Sequence, residues 1–258
     1  MEKILITIGL VYIGLMSLSR VGNAYGPENI MAVWLLDEKG GNKAKDSSGH
    51  GNDGELIKGP KRIDGVFGRA LQFDGTNNVV IQDHPTLDAK LNAGFTFVCW
   101  QNQTPGDADG GFLVKEEGWM NKMSYRFFSN HGNDFGFMVV PQDGTVEEYS
   151  AGTPKDNTWH HVAAVYDGSK IISYQDGKKL IAWPYNKGVA DTDARVFIGS
   201  GHPDGEYFPG ALDELALFNV ALSVDEIGSI MRDGLGASLA AVSPASKLTA
   251  TWSQIKQQ

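Results

Sequence analysis

Short hydrophobic runs recur along the chain between about residues 30 and 218, separated by clusters of Gly, Asp, Asn and Pro. Runs of four to eight residues bounded by such turn residues are typical of β-strands. They predict an all-β protein, with 32 glycines for its turns. The predicted strands span 31–36, 70–73, 78–81, 95–100, 111–115, 124–128, 135–140, 159–166, 170–175, 178–183, 195–199 and 210–218.

Two Asp-Gly pairs mark the clearest local structure. Asp167-Gly168 and Asp176-Gly177 each separate two β-type runs between Trp159 and Trp183. Glycine accepts the positive φ that a tight hairpin turn requires, so the pairs predict three consecutive antiparallel strands.

A single helix is predicted after the last strand. Ser223 is a favourable N-cap, and Glu226 three residues later completes a capping box. Gly234 is placed to end this helix. The small and polar residues 236–258 then predict a flexible C-terminal tail.

The first 24 residues have the pattern of a secretory signal peptide. Lys3 precedes an uncharged apolar run, and small residues follow up to Ala24. The alternative is an uncleaved membrane anchor, although the run is shorter than the roughly 20 residues of a spanning helix. Residues 25–235 then form one domain, exported to the cell surface, the periplasm or the medium.

The charge of the exported chain limits its partners, and its cysteine content limits its covalent chemistry. Without residues 1–24 it carries 20 basic and 30 acidic residues, a balance that repels nucleic acid and anionic membranes. Cys99 is the only cysteine, which excludes an internal disulfide. Its place in an apolar strand predicts a buried, unreactive thiol. We expect neither nucleic-acid binding nor membrane insertion after signal cleavage.

Several motifs, in this order, resemble the laminin-G-like jelly-roll domains of the concanavalin A-like lectin and glucanase superfamily. The resemblance covers about residues 30–234 and implies two antiparallel sheets packed face to face, closed by one short C-terminal helix. Its motifs are Asp-Ser-Ser-Gly-His-Gly-Asn-Asp-Gly at 46–54, Ala-Leu-Gln-Phe-Asp-Gly at 70–75, Phe-Thr-Phe-Val-Cys-Trp at 95–100, Trp-His-His-Val-Ala at 159–163, Tyr-Gln-Asp-Gly-Lys at 174–178, Phe-Ile-Gly at 197–199 and Gly-Ala-Leu-Asp-Glu-Leu at 210–215.

The resemblance also implies a structural calcium ion. Calcium binds six to eight oxygen ligands from carboxylates, amides and backbone carbonyls. Asp46, Gly75 and Asp213 are the first ligand candidates, with Asn52 and Glu214 behind them. The alternative is that these carboxylates only cap turns and bond backbone amides.

The sequence lacks the carboxylate pattern that glycan cleavage requires. A glycosidase needs two acidic side chains on one face, whereas Glu116-Glu117, Glu147-Glu148 and Asp213-Glu214 are adjacent pairs that point to opposite faces of a strand. We therefore expect no enzymatic activity.

Sugar binding requires aromatic rings near polar groups, and loops carry such residues more often than strands. Trp119, Tyr185, Tyr207 and Phe208 lie in loop-like segments and are the candidate ligand contacts. The favoured function is a secreted, calcium-stabilised module that binds a glycan or a cell-surface glycoprotein. A protein-binding adhesion module is the first alternative, and a glycan-active enzyme is the second.

Overall fold

The computed structural model describes residues 25–88, 94–105, 109–118, 122–129, 134–141, 143–152, 156–202 and 205–242. About half of these residues lie in strands. The strands are β1 Ile30–Trp34, β2 Lys43–Ala44, β3 Gly54–Ile57, β4 Lys61–Asp64, β5 Arg69–Asp74, β6 Asn78–Ile81, β7 Phe95–Gln103, β8 Gly110–Lys115, β9 Tyr125–Ser129, β10 Asp134–Val139, β11 Glu147–Gly152, β12 His160–Tyr166, β13 Lys170–Gln175, β14 Lys178–Pro184, β15 Val196–Ile198, β16 Ser200–His202, β17 Gly205–Tyr207 and β18 Pro209–Phe218, and the helix α1 is Val224–Val242.

The strands form two large antiparallel sheets. Sheet A has the order β14-β13-β12-β7-β18-β5-β4, with β1 also paired to β18. Sheet B has the order β11-β10-β9-β8-β15-β6-β3-β2, and β16 and β17 form a separate ribbon. The predicted all-β sandwich of two antiparallel sheets is confirmed.

The core lies between the sheets and is rich in aromatic rings. Successive residues of a strand face opposite sides, so Phe95, Phe97 and Cys99 of β7 all point inward. Phe97 stacks on Phe127 of β9 with ring centroids 4.1 Å apart. Cys99 is fully buried, as its sequence context predicts, and burial raises the pKa of its thiol well above the usual value.

The outer face of sheet A is covered by α1. Ser223 and Glu226 form the expected reciprocal cap at its beginning, since the Glu226 carboxylate accepts from Ser223 N and Glu226 N donates to the Ser223 hydroxyl. The helical segment that begins at Val224 ends at Gly234, as predicted, but a second helical segment follows it directly. Gly234 has φ +79°, and helical structure resumes at Leu235, whose N–H donates to the Glu214 carboxylate. A side chain distant in the sequence thus caps a second helical segment that reaches Val242.

The predicted hairpins are present as β12, β13 and β14. Asp176 and Gly177 both have positive φ, as a type I′ turn requires. The first turn differs, because only Gly168 has positive φ and the Asp167 carboxylate accepts from the N–H groups of Ser169 and Lys170. Among the described residues, no helix is long and apolar enough to span a bilayer.

Candidate functional site

The predicted calcium residues Asp46 and Asn52 lie in the loop that follows β2. Both oxygens of Asp46 accept hydrogen bonds from the chain itself: from the N–H groups of Val33, Ser48 and Asn52 at 2.9–3.0 Å, and from the Ser48 hydroxyl at 2.8 Å. The Asn52 amide is buried and donates to Met31 O and to the Thr86 hydroxyl. These contacts hold the loop against β1 and occupy the oxygens that a calcium ion would need.

Asp213 and Glu214 lie where β18 changes its neighbour. Residues up to Leu212 pair with β5, and residues from Leu215 pair with β1. Glu214 has φ +53° at this irregularity. Asp213 Oδ2 accepts from Val66 N at 2.8 Å and from Phe67 N, whereas Glu214 reaches Leu235. The two carboxylates thus stabilise different segments.

Burial and nearby negative charge perturb both carboxyl groups. Burial, together with the charges of Glu214 and Asp37, raises the pKa of Asp213 to about 7. Burial and the charge of Asp37 raise the pKa of Glu214 to about 7 as well. Asp213 Oδ1 has no hydrogen-bond partner in the described part of the chain.

The five predicted calcium ligands do not form one site in this structure. Gly75 occupies a turn with φ +83°, where the Asp74 carboxylate accepts from Thr76 N. Within the described ranges, no group of three or more Asp, Glu, His or Cys side chains is arranged to hold a metal ion. Calcium binding therefore stays a prediction.

The four predicted aromatic contacts differ in exposure. Phe208 is fully buried and packs edge-on against Phe73 and Phe112. Tyr185 is also buried, within a cluster of aromatic rings, and its hydroxyl donates to Gly188 O. Tyr207 is partly exposed, with the Lys58 ammonium 5.5 Å from its ring centre. Trp119 lies outside the described residues.

A group of buried polar residues lies at one end of the core. Gln101 and Gln103 continue the inward face of β7 beyond Phe97 and Cys99, and Ser129 continues the inward face of β9. Their exposed fractions are 0%, 3% and 2%. We call these three residues the polar end.

Most hydrogen-bonding atoms of the polar end are unused. In the described structure, neither amide atom of Gln101 has a partner, and the same is true of Gln103 Nε2 and Ser129 Oγ. Buried polar groups in folded proteins are nearly always hydrogen bonded, and an unsatisfied one costs about 1–3 kcal/mol. The polar end therefore has donors and acceptors that no group in the described structure uses.

Aromatic rings adjoin the polar end. Phe135 lies directly opposite Ser129 in the ladder of β9 and β10 and stacks on Phe112 with centroids 5.9 Å apart. Phe208 connects the two sheets at this end. Its N–H donates to the carbonyl of Gly199, which directly follows β15 of sheet B, and the next residue begins β18 of sheet A. Uncharged polar groups beside aromatic surface are the lining of many small-molecule sites.

The rim of this end carries a hydroxyl, an imidazole and a carboxylate in series. His160 lies opposite Gln101, on the neighbouring strand. His160 Nε2 lies 2.9 Å from Thr158 Oγ1, and His160 Nδ1 lies 2.8 Å from Asp176 Oδ2. The Thr158 hydroxyl donates to Asp156 Oδ1 at 2.7 Å. The Thr158 hydroxyl proton is thus directed to a carboxylate rather than to the imidazole.

The amino-acid sequence also matches a known protein family. Residues 73–228, more than half of the chain, match the family model described as the concanavalin A-like lectin/glucanases superfamily. The chain belongs to this superfamily. A comparison with curated proteins gave no match.

Solved structures with a similar fold include bacterial toxin domains. The binding domain of paraclostridial mosquitocidal protein 1 has a TM-score of 0.64 at 14% identity, over 79% of this chain and 52% of that one. The binding domain of botulinum neurotoxin DC, solved with rat synaptotagmin II, has a TM-score of 0.64 at 9% identity, over 80% and 52%. The botulinum neurotoxin serotype D ligand-binding domain, solved with N-acetylneuraminic acid, has a TM-score of 0.62 at 10% identity, over 80% and 51%. The chain spans about half the length of these domains, and at this identity the likeness shows the fold alone.

Proposed function

We infer that this protein is exported and binds a glycan, free or on a glycoprotein, without catalysing a reaction. The observation that carries this inference is the polar end, where the Gln101 amide is fully buried with both of its atoms unpaired among the described residues. A sugar hydroxyl both donates and accepts, so it matches an amide that offers one donor group and one acceptor.

The chemistry of the site favours an uncharged, hydroxyl-rich ligand. Gln101, Gln103 and Ser129 carry no charge, and the rings of Phe112 and Phe135 supply apolar surface nearby. A phosphate or carboxylate ligand would instead call for a cationic side chain, since ionic hydrogen bonds are the stronger ones for such groups. Structural neighbours solved with N-acetylneuraminic acid or with rat synaptotagmin II support a recognition role on this fold, although the first of these ligands is itself a carboxylate.

Two observations support binding without catalysis. The Asp213 and Glu214 carboxylates accept hydrogen bonds from the backbone of different segments, Asp213 from Val66 and Glu214 from Leu235. The Thr158 hydroxyl, which lies beside His160, donates to Asp156 rather than to the imidazole. Neither arrangement has the paired acids of a glycosidase.

The test is a glycan array probed with residues 25–258 and with the variant Gln101→Leu. We expect saturable binding of the wild-type protein to one class of sugar, and loss of that signal in the variant. No binding to any glycan would contradict the proposed function. Equal binding of both proteins would keep the function and overturn the site.

Calcium stabilisation remains part of the proposal and is tested separately. Asp213 is the residue where a cation would be most favourable, because its Oδ1 lacks a partner among the described residues and Asp37 and Glu214 add negative charge nearby. A ligand at a hundredfold excess over its Kd stabilises the folded state by about 2.7 kcal/mol. We expect millimolar calcium to raise the Tm of the wild-type protein and not that of Asp213→Asn. An unchanged wild-type Tm would contradict calcium stabilisation.

A second candidate function is protein binding through the edge of sheet A. β14 is an edge strand whose Leu180 and Ile181 are each 39% exposed, next to the exposed Lys178 and Lys179. An edge strand with free backbone groups accepts an added strand, and the lysines favour an acidic one. Ile181→Lys should abolish capture of an acidic cell-surface protein if this edge is the interface, and leave glycan binding unchanged.

A further inference from the structure

Lys115 is a fully buried lysine at the end of the core opposite the polar end. It is the last residue of β8, where it lies between Val196 of β15 and Tyr125 of β9 in sheet B. Its side chain is 0% exposed. Lysine is almost never fully buried unless it is paired.

Two carboxylates hold the Lys115 amine. Nζ lies 2.5 Å from Asp83 Oδ1 and 2.7 Å from Asp88 Oδ1. The side chain of Asp88 is 13% exposed and that of Asp83 is 34% exposed. One ammonium between two carboxylates leaves a net negative charge in a largely buried space, an arrangement with a high desolvation cost.

The surroundings bury the Lys115 amine and fix the geometry. Tyr125 is fully buried, and its hydroxyl donates to Leu87 O, next to Asp88. Burial and the charges of Asp88 and Asp83 raise the pKa of Tyr125 well above its usual value. Asp83 and Asp88 flank the short helix Pro85–Leu87, which holds both carboxylates in position beside β8.

We propose that Lys115 and Asp88 form an intramolecular amide bond, with Asp83 as the carboxyl group that transfers the proton. Lys115 loses a proton to Asp83, and its neutral Nζ attacks Cγ of Asp88. The Cγ–Nζ bond forms while a Cγ–O bond of Asp88 breaks. Two of the three ammonium protons leave with that oxygen as water, no atom is oxidised or reduced, and Asp83 returns to its initial state.

The position and burial of the Lys115 amine favour this condensation. Groups held in a reactive orientation reach effective concentrations of about 10⁵–10⁸ M, which compensates for the unfavourable equilibrium of amide formation in bulk water. The product replaces two buried charges by one neutral amide. Asp88 is the reacting carboxylate because it is the more buried of the two. The bond would fasten the 82–88 segment to β8 in a chain whose single cysteine cannot form an internal disulfide.

Mass spectrometry of the denatured full-length protein tests the proposal. We expect a mass about 18 Da below that of the sequence, the loss of one water. After trypsin, we expect one linked species that joins residues 70–90 to residues 91–122, because the acylated Lys115 is no longer cleaved. A wild-type protein at the full sequence mass, with separate peptides 70–90 and 91–115, would show an ordinary ion pair and overturn the proposal.

Variants identify the roles of the three residues. Lys115→Met and Asp88→Ala should each have their full sequence mass, and Asp83→Ala should as well if Asp83 transfers the proton. Asp88→Asn should lose ammonia, about 17 Da, and give the same linked peptide as the wild type. Lys178→Met, which changes an exposed lysine, is the matched control and should keep the deficit. A deficit that persists in Lys115→Met would place the loss of water elsewhere and contradict the proposal.

Discussion

His161 should make the protein sensitive to mild acid. Its ring is 1% exposed on the outer face of sheet A, edge-on to Trp100 with centroids 5.3 Å apart. Neither ring nitrogen has a hydrogen-bond partner in the part of the chain that the structure describes. Burial lowers the pKa of His161 from 6.5 to about 4, against a smaller opposing effect of the Asp176 charge.

The sign of the effect follows from linkage. The folded protein binds the His161 proton more weakly than the unfolded chain does, so this residue's contribution is fully present above pH 6.5 and is lost as the pH falls towards 4. The two pKa values give a loss of about 2 kcal/mol between pH 7 and pH 5, and about 3 kcal/mol by pH 4. This is a large share of the roughly 5–15 kcal/mol that stabilises a typical domain.

The variant His161→Phe isolates this effect, because it keeps an aromatic ring against Trp100 and removes both nitrogens. The free energy of unfolding is measured in urea at pH 7, 6 and 5 for both proteins. We expect the advantage of the variant to grow by about 2 kcal/mol between pH 7 and pH 5.

His160→Gln is a control of opposite sign. Burial lowers the pKa of His160, but hydrogen bonds and charges from Asp176 and Asp156 outweigh this effect and raise it. Its contribution is therefore present below pH 6.5 and is lost as the pH rises through the folded value, so its removal should weaken the protein more in acid. Parallel pH profiles for the wild type and His161→Phe would refute the reasoning about His161.

Three further substitutions, one of them with a matched control, test the fold by chemical denaturation. Ser223→Ala removes the N-cap of α1 and should cost about 1 kcal/mol, with a loss below a few tenths contradicting the cap. Gly199→Ala places a Cβ 2.4 Å from the Phe73 ring at φ +83° and should cost at least about 3 kcal/mol; near-neutral behaviour would contradict this packing. Asp46→Ala leaves three backbone N–H groups without their acceptor and should cost roughly 3 kcal/mol, whereas Asp74→Ala on an exposed turn should cost under about 1 kcal/mol; equal losses would contradict the role of Asp46.

The sequence predicted the hairpins and most of the longer strands because their periodicity and turn residues are local, but it missed β11. It did not predict the short strands such as β2, β4 and β17, which have few buried residues and depend on their neighbours for pairing. It predicted the end of the first helical segment at Gly234 but not the second segment, because the cap that begins that segment comes from Glu214, on a strand that is adjacent only in the folded chain.

The candidate site was less accessible to sequence reasoning. Phe208 and Tyr185 are in Gly/Pro- or polar-flanked segments, yet tertiary packing buries both rings. The sequence did contain a signal that Gln101 and Gln103 are buried. They continue the alternation of Phe95, Phe97 and Cys99, so their side chains fall on the inward face of β7. Their amide atoms lack partners within the described residues. This could not be predicted, because it depends on the opposite sheet, whose position the sequence alone does not give.

The most direct test of the account compares Gln101→Leu with Gln72→Leu, which makes the same change at an exposed glutamine of sheet A. For both variants, affinity for the glycan found on the array is measured by titration calorimetry, and the free energy of unfolding without ligand is measured in urea. We predict that Gln101→Leu loses glycan affinity and gains about 1–3 kcal/mol of stability, because it removes a buried amide without partners. Gln72→Leu should change neither quantity. Unchanged glycan affinity in Gln101→Leu, or affinity lost only together with stability, would contradict the claim that the polar end binds the ligand.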